Sequence, residues 1–185
     1  MKYIITGCAG GGKTTIINTL RNEGFNCHEE VSRKVIRLQL SSGGLALPWS
    51  NLTEFSELVF IQMQRELEEQ VGEEICFYDR GIPDIIALLT KQNLPIENKY
   101  YQAIKDLNYN KIVFVAPPWE DIFVNDNERP ESFQVAAETY RAICDTYKSL
   151  GFDLFFIPLL PIEERVGFIL ETITSQNLHP IIRRK

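Results

Sequence analysis

A lysine and a threonine that follow a run of glycines near the start of the chain point to one kind of chemistry. Gly7-Cys8-Ala9-Gly10-Gly11-Gly12-Lys13-Thr14 fits G-x-x-x-x-G-K-[ST] without a mismatch, and Thr15 extends it. Glycines let such a loop wrap with its backbone N–H groups turned inward, because no Cβ obstructs positive φ. Those N–H groups, with the positive end of the following helix, bind a phosphate chain. Lys13 then reaches the terminal phosphates, and the Thr14 hydroxyl ligates Mg²⁺. The bland alternative, a glycine-rich turn between strand and helix, does not account for Lys-Thr at this place. The implied ligand is a nucleoside triphosphate, ATP with GTP as the alternative.

Other residues with chemistry in them cluster where apolar runs end. Asp79 follows Ile75–Tyr78 and could hold Mg²⁺ through water or take a proton from an attacking hydroxyl; otherwise it is a solvated strand-end carboxylate. Arg80, fixed in charge, suits a transferred or accepting phosphate, or a surface ion pair. Glu30 opens a helix, where the dipole favours a carboxylate, or it binds or deprotonates a substrate hydroxyl. Arg33 and Arg37 lie one turn apart and bind an acceptor's phosphate if their face meets the cleft. His28 reads as a packed histidine, and Trp49 and Trp119 as edge-of-core packing or base-stacking rings. Arg129 is the cation of the polar stretch 125–131, which reads as a lid. There it would stabilise charge on a transferring phosphoryl group, unless it is a solvated loop arginine.

These residues need a scaffold that gathers strand ends. Strand-length apolar runs alternate with helical patterns, which predicts parallel βαβ units. Strands are expected near 2–6, 25–28, 75–78, 111–116 and 154–157. Helices are expected near 13–22, 30–40, 53–71, 84–90, 98–107, 132–150 and 161–175, with Glu66, Glu68 and Glu69 facing solvent. Five buried parallel strands covered on both faces make a three-layer α/β sandwich, with ligands at the carboxyl ends of the strands. Residues 1–176 read as one domain and 177–185 as a basic tail.

Composition narrows the class. The chain has 185 residues and a formal net charge of −6, with no basic stripe before its last residues, which argues against a nucleic-acid partner. Cys8, Cys27, Cys76 and Cys144 form no C-x-x-C pair, so they read as small buried hydrophobes in a reducing compartment. A strand from residue 2 predicts no leader, and no apolar run reaches membrane-spanning length. The expectation is a soluble, cytoplasmic protein.

The phosphate loop, Glu30 with Arg33, Leu47-Pro48-Trp49, Tyr78-Asp79-Arg80-Gly81-Ile82-Pro83-Asp84, Ala116-Pro117-Pro118-Trp119 and the stretch from Asn125 to Arg129 come in one order. That order resembles the small single-domain AAA-type ATPase/kinase-like P-loop family, related to the ribosylnicotinamide kinase domain of bacterial NAD regulators. The resemblance reaches about residue 175. It implies a P-loop NTPase fold, nucleoside- or small-molecule-kinase-like with a short lid, using ATP or GTP with Mg²⁺. It implies roles for the loop, Glu30, Asp79, Arg80 and Arg129. Gly11 departs from the pattern, which more often has Ser there; binding should survive.

Three functions follow. The first is a kinase for a small nucleoside-like or phosphorylated metabolite, with its acceptor pocket lined by Glu30, Arg33 and Arg80. The second is a nucleotide-dependent switch that binds a protein partner. The third is a non-catalytic descendant, which the joint presence of Lys13, Thr14 and Asp79 disfavours.

Overall fold

The computed structural model describes residues 1–69, 72, 74–123 and 132–178. The elements run β1 (Lys2–Gly7), α1 (Lys13–Asn22), β2 (Asn26–His28), α2 (Val31–Ser42), α3 (Leu52–Glu69), β3 (Cys76–Asp79) and α4 (Ile82–Lys91). They continue with α5 (Asn98–Asp106), β4 (Tyr109–Ala116), a 3₁₀ turn at Glu120–Ile122, α6 (Phe133–Ser149), β5 (Asp153–Phe156) and α7 (Ile162–Leu178). Every expected strand and helix is present, with ends shifted by a few residues. The 3₁₀ turn was not foreseen. Lid residues 125–131, with Arg129, lie outside the described residues, as does the tail from 179 on.

The sheet is five-stranded and parallel, in the order β2-β3-β1-β4-β5. β1 is central because its side chains are apolar on both faces, and a parallel strand covered twice must be so. Tyr3 and Ile5 meet Ile16, Ile17 and Leu20 of α1 and Val166, Ile169 and Ile173 of α7 on one face. Ile4 meets the larger core of α2 to α6 on the other. Register then sets the site: Ile5 pairs with Asp79 and Gly7 with Ala116. The loops after β3, β1 and β4 therefore emerge side by side.

Two expectations are corrected. Glu66 is buried rather than solvent-facing. Its carboxylate accepts from Lys34 Nζ at 3.0 Å and Gln62 Nε2 at 3.2 Å, and lies 3.3 Å from His28 Nδ1. Periodicity alone put it on the wet face; an apolar neighbour on each side (Met63 and Leu67, both buried) shows that this face packs inward. Trp49 is not edge-of-core packing, since it is 56% exposed beside a cavity. His28 is packed as expected, stacked on Tyr78 at 4.5 Å. Cys8, Cys76 and Cys144 are buried and Cys27 half-buried, all as free thiols.

Candidate active site

The loop 7–12 is shaped by glycines that nothing else could replace. Gly7, Gly10 and Gly12 have φ of 132°, 74° and 75°. A Cβ on Gly7 would collide with the Ala116 carbonyl, because β1 and β4 pair at that point. One on Gly12 would stand 2.6 Å from Arg165 Nη1. α1 starts directly after, with Gly12 O accepting from Ile16 N. Its first turn thus faces a cavity of about 480 Å³ lined by Gly10, Gly12, Lys13, Thr14 and Thr15. Across it stand Glu30, Arg33, Arg80, Trp119 and Arg165.

Charge is concentrated at the floor. Lys13 is buried, and its Nζ donates to Cys8 O at 2.6 Å, which holds it inside the loop. Burial, then the Arg80 charge, brings its pKa down to about 8 against the pull of Asp79 and Glu30. Asp79 is buried close by but borders a separate small void with His28, Tyr78 and Tyr109 and not this cavity, and burial followed by the Glu30 charge raises its pKa to about 6. Its Oδ1 has no hydrogen-bond partner among the described residues. A buried carboxylate oxygen left without a donor is costly, and a metal-bound water or a substrate hydroxyl would satisfy it. Asp79 and the exposed Thr14 hydroxyl therefore fit Mg²⁺ held partly through water, in keeping with that ion's retained hydration.

Arg80 is the hub. It sits in left-handed backbone (φ 77°), unusual for a residue with a Cβ. Its Nε donates to Glu30 Oε1 at 2.8 Å, and its Nη1 to Gly7 O at 2.9 Å and Asp84 Oδ1 at 3.2 Å. Burial opposes its charge, but Glu30, Asp84 and Asp79 outweigh that and hold its pKa above the ordinary range. Arg33 Nε shares Glu30 through Oε2 at 3.3 Å. Arg37 is exposed on the next turn.

A second cavity, about 420 Å³, adjoins the first, and Ala9 and Arg80 line both. Its walls are Phe55, Val59, Met63, Ile85, Leu88 and Ile143, with Trp49 among the lining residues. The acceptor pocket was expected between Glu30, Arg33 and Arg80. Only Arg80 lines this cavity; Glu30 and Arg33 face the phosphate side. The helices α3, α4 and α6, distant in sequence, build it instead.

Two residues of the site escaped sequence reading. Asp84 accepts from Thr6 Oγ1, Tyr147 OH (2.6 Å), Gly81 N (3.0 Å) and Arg80, and so braces the hub. Arg165 is buried in the first turn of α7, donates from Nη2 to Gly11 O at 2.8 Å and lies 5.6 Å over the Trp119 ring. A cation in the first turn opposes the helix dipole, and that was the available signal.

The fold and the phosphate cavity define a kinase-like P-loop protein. A family model described as "AAA domain" matches residues 2–165, and the chain belongs to that family. No curated protein matches it. Among solved structures, NadR in complex with NR aligns at a TM-score of 0.72 and 16% identity, over 100% of this chain and 53% of that one. Thymidylate kinase from Candida albicans aligns at 0.64 and 14% identity, over 100% and 95%. Deoxyadenosine kinase from M. mycoides aligns at 0.59 and 15% identity, over 95% and 100%. Identities this low establish the shared fold. No helix of the described residues is long and apolar enough to cross a membrane.

Proposed function

We propose that this protein is a kinase that moves the γ-phosphoryl group of ATP onto a hydroxyl of a small molecule. The observation that carries the reading is the pair of cavities that meet at Ala9 and Arg80. One has the chemistry of a phosphate cradle and the other the size of a small-molecule site, typically about 300–1,000 Å³. A plain NTPase needs only the first. The resemblance to nucleoside and nucleotide kinases supports the same reading.

In this mechanism the loop N–H groups (Gly7 to Thr15) and Lys13 hold the β- and γ-phosphates. Thr14 and Asp79 would hold Mg²⁺, which neutralises charge on the phosphate oxygens. The triphosphate's base would lie near Pro158 to Pro161, of which Leu160 and Pro161 line the cavity, where backbone contacts would select the base. The acceptor oxygen attacks the γ-phosphorus, the bond to the bridging oxygen breaks, and ADP leaves with that electron pair. The acceptor's proton passes to the unpartnered Oδ1 of Asp79, leaving its other oxygen toward the Mg²⁺-bound water; Glu30 suits this less, since Arg33 and Arg80 already bind both its oxygens. Arg80, with Arg129 from the lid, would stabilise charge on the transferring group. We assign this work to residues 1–176, with 177–185 as a tail, in a reducing, cytoplasmic setting and without nucleic acid.

ADP release from Mg–ATP tests the proposal, alone and with nucleosides, vitamins and sugar phosphates. Stimulation of about tenfold by one compound, as acceptor-site occupancy predicts, supports it. Slow release that no compound stimulates counts against it and favours a nucleotide-dependent switch. The observation on that side is Leu38, Leu40 and Leu45, which are 65%, 54% and 71% exposed at the end of α2 and just beyond it, where a protein partner would dock.

A further inference from the structure

From the lining of the second cavity we infer that the acceptor is an uncharged, ring-bearing alcohol and not a phosphorylated metabolite. The inference rests on the phosphoryl-transfer reading and names the acceptor's class.

The argument starts with charge. A phosphate ester carries up to two negative charges and needs cations that are free to meet them. At the inner end of the cavity the cation is Arg80, and two buried carboxylates, Glu30 and Asp84, already bind it at 2.8 and 3.2 Å. Asp84 lines the cavity beside it and Glu30 backs it, so the Arg80 charge is answered before any ligand arrives. A second dianion, besides the triphosphate, would be desolvated at that end with no unengaged cation to pair with it. Lys91, the other lining cation among the described residues, is at the far end of α4, and its Nζ donates to Thr139 Oγ1 at 2.8 Å.

The remaining polar groups are neutral. Ser32, Ser56, Gln92 and Thr139 offer hydroxyls and an amide. Ser56 is 2% exposed, and its Oγ has no hydrogen-bond partner among the described residues, although the residue lines the cavity. Such a hydroxyl is satisfied by a neutral donor or acceptor on a bound molecule. Around these points the wall is apolar: Phe55, Val59, Met63, Ile85, Leu88 and Ile143. A flat ring with a few neutral polar substituents fits this lining, and Trp49 offers it a stacking face. Its hydroxyl must reach the Arg80 end, where the phosphoryl group arrives. Oxygen gains the phosphoryl group, Asp79 takes the proton, and the product leaves as a monoester.

Matched pairs test the inference by isothermal titration: thymidine against thymidylate, adenosine against adenylate, and pyridoxine against its phosphate ester. The expected result is a Kd below about 1 mM for at least one neutral member. Its ester should bind about tenfold more weakly, because the charge penalty falls on the ester alone. Leu88→Trp, which fills the cavity from a half-buried position, should abolish binding of the neutral member. Trp49→Ala, at an exposed position that will not unfold the protein, should weaken it. Esters that bind as tightly as the alcohols, no neutral member binding at all, or binding unaltered in both variants would each overturn the inference. ADP formation is read separately. A neutral alcohol that binds as described yet yields no ADP leaves the site's chemistry standing and overturns phosphoryl transfer.

Discussion

Arg80 Nε donates to Glu30 Oε1 across 2.8 Å, joining the end of β3 to the start of α2 fifty residues away. Both side chains are buried, with 9% and 6% of their surface exposed. A buried pair broken from one side leaves the other charge stranded, which costs about 3–5 kcal/mol. We therefore expect Glu30→Ala to lower stability by about 3 kcal/mol, and turnover to fall because Arg80 loses its anchor. Glu30→Gln should recover part of both, since the amide oxygen still accepts. Urea denaturation with parallel ADP-release assays measures the two effects; unchanged stability in Glu30→Ala would mean that the pair is not formed in solution.

Lys13→Ala should abolish Mg–ATP binding while the fold persists, because the loop glycines and not Lys13 set the loop's path. Asp79→Asn should keep nucleotide binding and lose turnover by about two orders of magnitude, as the loss of a positioned base does. Titration of ATP and single-turnover assays separate these outcomes. An Asp79→Asn variant with full turnover would reduce Asp79 to scaffolding.

The lowered pKa of Lys13, about 8, predicts an alkaline limit to nucleotide binding. Below that value the ammonium is charged and attracts the phosphates. Above it the neutral amine does not, so affinity falls as pH rises past 8, shifted upward to the extent that bound phosphate favours the charged form. Lys13→Arg, always charged, should bind more weakly at neutral pH but without that limb. Equilibrium binding from pH 6 to 10 checks it, and a flat profile in the wild-type protein would refute it.

His28 and Glu66 make a second pH-dependent contribution, to stability. Cys76 and then Glu66 raise His28 to about 9, while His28, Lys34 and Gln62 outweigh burial to bring Glu66 down to about 2. The histidine's contribution is full below its unfolded value of about 6.5 and is lost as pH rises toward 9. The carboxylate's is present above about 4.3 and is lost as pH falls toward 2. Their sum is greatest between about 4.5 and 6.5. Glu66→Gln should remove the acid limb and shrink the alkaline one, which Cys76 still supports; a profile identical to wild type would exclude the pair.

Tyr147→Phe removes the 2.6 Å bond to Asp84 Oδ2. Leaving a buried acceptor short of a donor costs about 1–3 kcal/mol. Asp84 also braces Arg80, so the acceptor KM should rise more than the KM for ATP. Equal changes in both would show that Tyr147 serves only the core.

The element order and the glycine-rich loop were legible in the chain because they are local. A glycine's freedom, a run of apolar side chains and the Lys13-Thr14 pair act within one turn or one strand. Strand ends also grouped Glu30, Asp79 and Arg80, since a parallel sheet gathers its carboxyl ends at one edge. What those residues do to one another was not legible. Whether Arg80 pairs with Glu30, and whether Glu66 meets water or His28, depends on packing between segments tens of residues apart. The Asp84 brace and Arg165 beneath the loop belong to the same class. So does the second cavity, whose walls come from α3, α4 and α6. The sequence by itself determined a strand–loop–helix with the pattern of a phosphate loop. Only the tertiary structure decided what stands opposite it, because the second cavity is a gap between helices, and a gap has no residues of its own to read.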